Sequence, residues 1–376
     1  MAGAAHGSRR RRRKEREGSR TRRRPQPQQR DWSDLPNLAL FSILQRLATF
    51  KDRFAFDGVC RAWRAVSRPT LGGFLSSQRP LLCGTGGHHF CGFSRGPSYR
   101  STLRGLCRQD ATLLGFSHGY LIMANVGSRR EIWLVNPFTG HEVFSIPRVH
   151  CAHSPEWAAL TEPPSSPRCR LVAWCRLTIV YCNPSDLYWS MYCCETEEER
   201  TCSRWPSVLG GAVCARSLSG KLLRFEFYPQ PRVTRMGVRH LLPGSTNVWL
   251  AAASGGEILA IHANPWLEAA EGCVVYRLDT SRGDWVRMET LGGRALLFTT
   301  VGFALCDEHP HRWGGEDNCV YYQRHLGGEV KVFHMEGSRT ETLQVNHPSS
   351  HLEGKCCCLS RCCTSSFIWV LPGLCY

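Results

Sequence analysis

Gly115-Phe116-Ser117-His118-Gly119 matches G-x-S-x-G, in which a serine on a sharp strand-to-helix turn acts as a nucleophile. That chemistry needs a helix directly after the serine. Here the apolar run from Tyr120 to Val126 follows, with strand character, and no strand–helix alternation surrounds it. No catalytic residue is therefore expected. Histidine and cysteine come close twice, as His88, His89 and Cys91 and as Cys306, His309 and His311, and cysteines crowd residues 356–363. None of these sets has the paired Cys/His spacing of a structural zinc site, so no metal site is expected. A phosphate-cradling glycine loop and a dinucleotide fingerprint are both missing, and no cofactor is expected.

The strongest charge feature is Arg9, Arg10, Arg11, Arg12, Arg13 and Lys14, a run that fits a nuclear import signal or a solvated tail. The formal net charge is +16, of which residues 1–30, with twelve Lys/Arg and two Glu, carry +10. The rest of the chain is only mildly basic. Residues 1–30 have no aromatic or β-branched apolar side chain and cannot offset the entropy of ordering, so a disordered tail is predicted. No aromatic residues interleave with its arginines, so base stacking is not expected and nucleic acid is not an expected partner. No uncharged stretch reaches membrane-spanning length and no apolar leader segment is present, so neither a membrane nor a signal peptide is expected. In that setting the 21 cysteines, an odd number, read as reduced and mostly buried.

Residues 31–70 read as helices. Ser33 or Asp34 can cap the first, Pro36 suits its first turn, and it should run to about Arg46. Lys51 and Asp52 should open a second, Gly58 should interrupt it, and Val59–Val66 should form a third that Pro69 ends. Leu38, Ala39, Leu40, Phe41, Ile43, Leu44, Leu47 and Ala48 surround the first helix on every side. A surface helix would show one apolar stripe, so this one must be covered both by its own module and by something else. About 40 residues cannot form an adequate core alone.

Residues 71–110, rich in Gly, Ser and Arg, read as a transition region. From residue 111 to 376 short apolar runs alternate with turn residues, an all-β pattern. "IWLVNPFTGHEVFSI", "VYRLDTSRGDWVRM" and "KVFHMEGSRTETL" share one plan of strand, polar corner, glycine turn and outgoing strand. Repeated hairpins over this length suit a β-propeller, with a sandwich as the alternative. The segments "EPPSSP" at 162–167 and "EEER" at 197–200 read as solvated loops.

"DLPNLALFSILQRL" followed by "VCRAWRAV" resembles an F-box, the three-helix module that docks on the Skp-type adaptor of cullin–RING ubiquitin ligases. Leu35, Pro36, Leu40, Ile43, Leu44, Leu47, Val59, Cys60 and Trp63 fall on its apolar positions. The resemblance implies adaptor contact at Leu35, Pro36 and Ile43, with Trp63 bracing the third helix. "LGFSHGYLIM", "EIWLVNPFTGHEVFSIP", "VVYRLDTSRGDWVRMETLGGRALLF", "GGEDNCVYY" and "FIWVLPGL" are similar to the KIB-type domain of plant F-box proteins, which implies a β-propeller. Together the resemblances imply a non-catalytic substrate-recognition subunit of a Skp–cullin–F-box ligase, in the nucleus or cytoplasm, whose β domain binds an unidentified protein. The alternative is a non-ligase scaffold or nuclear interaction protein with a drifted F-box. Trp313 and His311, in a glycine-flanked loop, are candidate target contacts, although a tryptophan packed between blades fits the same position.

Overall fold

A computed structural model describes residues 32–372 except 85–88, 93–98, 101–105, 107, 109–110, 126–130, 144–145, 147, 150–152, 203–205, 239–247, 264–272, 300–303, 324–328 and 345–366. The arginine run of the tail and the cysteines of 356–363 lie outside the described residues. The chain divides into two compact units, Met1–Arg68 and Pro69–Tyr376.

In the first unit, α1 spans Asn37–Leu44. Pro36, already at φ −57°, offers its carbonyl to the amides of Ala39 and Leu40 at 2.9 and 3.1 Å. The second helix, α2, spans Phe50–Val59, and α3 spans Arg61–Ser67. Thr49 caps α2 by accepting the Asp52 amide at 3.2 Å. Gly58 was predicted to interrupt the helix, yet it remains helical and the break falls two residues later. Cys60 is fully extended there (φ −160°, ψ 176°), which reverses the chain and lays α3 against α2. The cost of a helical glycine is only about 1 kcal/mol, too little to end a helix that packs. Leu40, Leu44 and Phe56 form the buried centre, with Leu35, Leu47, Trp63 and Val66 against it. Trp63 packs at a tilt with its ring centre 4.6 Å from that of Phe56 and donates its indole N–H to the Trp32 carbonyl at 3.0 Å. Buried Arg53 ties α2 to the end of α3 through the Ser67 hydroxyl and carbonyl, at 3.0 and 2.8 Å.

The second unit opens with α4 (Leu71–Ser76) and then builds six sheets. β1 (Leu81–Gly84), β2 (His89–Cys91) and β3 (Tyr99–Arg100) belong to the first sheet. β4 (Ala111–Ser117), β5 (Tyr120–Asn125), β6 (Ile132–Val135) and β7 (Glu142–Val143) make the second. β8 (Trp157–Leu160), β9 (Leu171–Cys175), β10 (Thr178–Cys182) and β11 (Ser190–Cys193) make the third, and a short helix, α5 (Glu197–Arg200), follows. β12 (Ser207–Leu209), β13 (Ala212–Arg216), β14 (Leu222–Glu226) and β15 (Arg232–Arg235) make the fourth. β16 (Val248–Ala252), β17 (Ile258–His262), β18 (Val274–Asp279) and β19 (Asp284–Met288) make the fifth. β20 (Ala295–Thr299), β21 (Leu305–Asp307), β22 (Cys319–Gln323), β23 (Glu329–His334) and β24 (Arg339–Gln344) make the sixth. β25 (Phe367–Val370) returns to pair antiparallel with β1, from Leu81 opposite Val370 to Gly84 opposite Phe367.

This is a six-bladed β-propeller whose first blade joins both ends of the unit. Inner strands such as β13 and β20 are buried along their whole length, because each blade is covered on both faces by its neighbours. The apolar clusters accordingly run between blades. Leu134 and Leu160 meet between the second and third, Trp249 and Phe298 between the fifth and sixth, and Leu82, Leu297 and Trp369 between the sixth and first.

The three repeated sequence stretches are the outer hairpins β6–β7, β18–β19 and β23–β24. Two share one corner geometry. Asn136 Oδ1 accepts the amides of Phe138 and Thr139 at 3.0 and 2.9 Å, and Asp279 Oδ1 accepts those of Ser281 and Arg282 at 3.0 and 3.2 Å.

Three features differ from the sequence reading. The stretch 71–110 contains α4 and three blade strands, which its glycines and arginines conceal. The sixth blade holds a parallel pair, β20 with β22, because the β20–β21 hairpin turns inward before the chain resumes the blade. "EEER" is not a solvated loop. Thr196 caps α5, and Glu199 is buried, accepting from Tyr192 Oη at 2.8 Å, the Glu195 amide at 2.9 Å and Thr196 Oγ1 at 3.0 Å. Burial and the Glu199 carboxylate push the Tyr192 phenol well above its usual range. The "EPPSSP" run is a turn that alternates exposed and half-buried residues.

Among the described residues, no helix is long and apolar enough to cross a membrane.

Candidate protein-interaction surfaces

The apolar positions of the first unit sort into two groups. Leu40 and Leu44 are buried, Leu35, Leu47, Cys60 and Trp63 are half-buried, and Pro36, Ile43 and Val59 are exposed. Leu35 thus packs on the internal cluster, while Pro36 and Ile43 stay open. Leu38 is 83% exposed and Phe41 41%, together on one flank of the buried Leu40–Leu44 stripe of α1, while Ile43 is exposed on the other flank. Cα–Cβ vectors at positions 38 and 41 lie one turn apart on the same face. The second apolar side foreseen from the helical wheel is therefore present, and its most exposed member is Leu38.

The second surface belongs to the propeller. A cavity of about 580 Å³ is lined by Phe116, Ala159, Glu162, Ser207, Ala252 and Leu305 with their neighbours, from five successive blades. Because these residues lie on or next to the innermost strands β4, β8, β12, β16 and β21, the cavity sits on the propeller axis. Ser117 and His118 are at its wall, but not as a nucleophile and base. His118 (φ 47°) and Gly119 (φ 79°) form the two-residue turn of the β4–β5 hairpin, and the strand β5 follows where a nucleophile elbow needs a helix. Ser117 Oγ donates to the Leu160 carbonyl at 2.9 Å and so links the second blade to the third. Loss of surrounding water lowers the His118 imidazole from its ordinary range, with the Thr161 backbone and Glu162 opposing. Burial pushes the Cys306 thiol up to about 12, with Glu308 adding to the effect and Arg294 opposing it.

Trp313 is buried in the apolar layer between the sixth and first blades, 5.5 Å from Tyr321, and its indole N–H donates to Asp307 Oδ2 at 2.6 Å. It is a packing residue, and His311 beside it remains exposed. Gly315 is fixed by that ring: a Cβ there would lie 2.1 Å from Trp313 Cη2. The "LGGRALLF" and "GGEDNCVYY" segments meet through Asn318 (φ 58°). Its Oδ1 accepts the Leu291 amide at 2.7 Å, and its own amide donates to the Arg294 carbonyl at 2.8 Å. Asparagine tolerates this left-handed backbone, which is the signal that could have singled it out.

Cys306, His309 and His311 do not bring three ligand atoms together, and His88 and the His89 side chain lie outside the described residues. Among the described residues the cysteines are free thiols, mostly buried.

Six blades closed by strands from both ends of the unit define a β-propeller of the kind that presents loops and an axial cavity to other molecules. The chain belongs to the KIB1-4 β-propeller family, whose model matches residues 90–336. No curated protein matches the chain. Among solved structures it is similar to BBS1N in complex with ARL6DN, at 12% identity over 72% of this chain and 79% of that one, with a TM-score of 0.35. It is also similar to TolB from Acinetobacter baumannii, at 10% identity over 77% and 70%, TM-score 0.39. YCF48 bound to D1 peptide gives 9% identity over 71% and 79%, TM-score 0.38. Likenesses this distant carry no functional argument.

Proposed function

We propose that this chain is the substrate-recognition subunit of a Skp–cullin–F-box ubiquitin ligase. The carrying observation is the set of exposed apolar side chains that flank the buried stripe of the helical module. Leu38, Phe41, Ile43 and, from α2, Val59 are exposed on a module whose own core holds Leu40, Leu44 and Phe56. Burying such a side chain from full exposure contributes about 1.5–3 kcal/mol, so Leu38 offers most of that amount and the three half-exposed side chains a fraction of it each. The F-box resemblance names that partner as a Skp-type adaptor, which links the chain to a cullin–RING ligase.

In this reading the KIB1-4 propeller holds the target protein, through loop residues around the axial cavity or elsewhere on its rim. The chain makes and breaks no bond. It raises the local concentration of target lysines at the charged ubiquitin-conjugating enzyme, and that proximity is its contribution to rate. The basic run Arg9–Lys14 would direct the protein to the nucleus, with the cytoplasm as its other location.

The test is co-purification of the full chain with a recombinant Skp-type adaptor and cullin. Retention of both supports the reading. A folded chain that retains neither overturns it and leaves a scaffold with a drifted helical module.

A further inference from the structure

Glu316, Cys319 and His334 bring three potential metal-ligating atoms within 4.8 Å of one another in the sixth blade. Cys319 begins β22 and His334 ends β23, and the antiparallel register sets them directly opposite each other. Glu316 comes from the turn that feeds β22. Cys319 Sγ is 3.3 Å from His334 Nδ1, and Glu316 Oε2 is 3.5 Å from the same nitrogen. In a tetrahedral zinc site, bonds of about 2.3 Å to sulfur and 2.0–2.1 Å to nitrogen or oxygen place ligand atoms about 3.3–3.6 Å apart.

A thiol–imidazole hydrogen bond alone would account for one of those distances. It would not account for the other side of the ring. His334 is 8% exposed, and its Nε2 is buried without a hydrogen-bond partner. A carboxylate oxygen, Glu341 Oε2, lies 3.8 Å from that nitrogen. Metal-bound histidines are held in this way, with one nitrogen toward the ion and the other facing an outer carboxylate that fixes the tautomer. Glu316, Glu341 and Asp317 bring negative charge toward Cys319 against Arg339, a balance that favours a cation.

The backbone beneath the cluster is held in place. The Glu316 amide donates to Tyr321 Oη at 2.9 Å, and the Asn318 carbonyl accepts the Met335 amide at 3.1 Å. Cys319 and His334 are buried while the Glu316 side chain is 63% exposed, which leaves an ion a route from solvent.

We propose that Glu316, Cys319 and His334 form a site for one divalent transition metal, with a fourth position open to water. A set of one sulfur, one nitrogen and one oxygen donor suits zinc, whereas calcium and magnesium take oxygen throughout. The ion would clasp the β22–β23 hairpin to its feeder turn on the sheet face that packs against the first blade. Sequence spacing hides the site, since its cysteine and histidine are brought together only by strand register.

The test uses the full chain, stripped with a chelator and titrated with Co²⁺ and then Zn²⁺. One equivalent of Co²⁺ should give a sulfur-to-metal charge-transfer band and tetrahedral visible bands that Zn²⁺ displaces. Zn²⁺ should also raise the Tm. Cys319→Ala should abolish the charge-transfer band. Glu341→Gln should weaken binding about 10- to 100-fold, and Glu316→Gln, at an exposed position that does not threaten folding, by roughly tenfold or more. Absence of the band in the folded chain would overturn the proposal. So would uptake unchanged in Cys319→Ala and Glu316→Gln, which would place the metal at other cysteines.

Discussion

Trp369 Nε1 donates to the carbonyl of Phe298 at 2.9 Å across 71 residues of chain, and the indole is fully buried. Trp369 lies in the returning strand β25 and Phe298 in the inner strand β20, so this bond joins the closing blade to the last blade before it. Trp369→Phe should cost about 1 kcal/mol through the unpartnered carbonyl, and Trp369→Ala about 3–5 kcal/mol through the cavity. Urea unfolding of both variants checks the order. Equal effects would mean that the hydrogen bond, lost in both variants, matters and the volume of the ring does not.

Glu257 receives Arg294 at 2.7 Å and Arg277 at 3.4 Å. The hydrogen bond from Arg294, aided by its charge and by Arg277, holds the Glu257 carboxyl below the ordinary glutamate range. The folded pKa is depressed, so the stabilisation is complete above the ordinary value of about 4.3 and is lost as pH falls through the lower folded value. Glu257→Gln should therefore lower stability at pH 7 by about 1 kcal/mol, discounted for partial exposure. The wild-type advantage should vanish once the pH falls below the depressed folded value. Thermal unfolding across that range reads it.

Gly315→Ala places a methyl group inside the van der Waals radius of the Trp313 ring and should cost about 1–3 kcal/mol. The double variant Gly315→Ala/Trp313→Leu should lose less than the sum of the single changes, because the clash goes with the ring. Additive losses in unfolding experiments would contradict the packing described.

The outer hairpins were legible because their signal is local. The Asn136 and Asp279 corners each need an oxygen acceptor and a glycine at fixed offsets, and both follow strands with apolar residues. The two-sided apolar character of α1 was equally visible, since Leu38 and Leu40 need only helical periodicity to place them on different faces. What stayed hidden depends on distant partners. Strand β1, Leu81–Gly84, is too short to announce itself and is specified by β25 nearly three hundred residues later. The burial of Glu199 depends on Tyr192 and Thr196 converging on one carboxylate. Trp313 read as either an anchor or a packed ring until Asp307 and Tyr321 were placed beside it.

The exposed and buried residues of α1 should separate cleanly under substitution. Leu40→Ala should destabilise the helical unit by about 2–5 kcal/mol, since Leu40 is fully buried among Leu44 and Phe56. Leu38→Asp should leave its stability within about 0.5 kcal/mol, as an exposed substitution that also places an acid in the first turn of α1. Circular dichroism on both variants makes the comparison.

The most direct measurement is the affinity of the full chain for a purified Skp-type adaptor by titration calorimetry, with Leu38→Asp beside the native chain. Adaptor binding by the native chain, weakened at least about tenfold by a substitution that leaves the fold intact, is the expected result, since losing about 1.4 kcal/mol of contact is already tenfold. No heat of binding from a folded native chain, or equal affinity for both, would contradict the account.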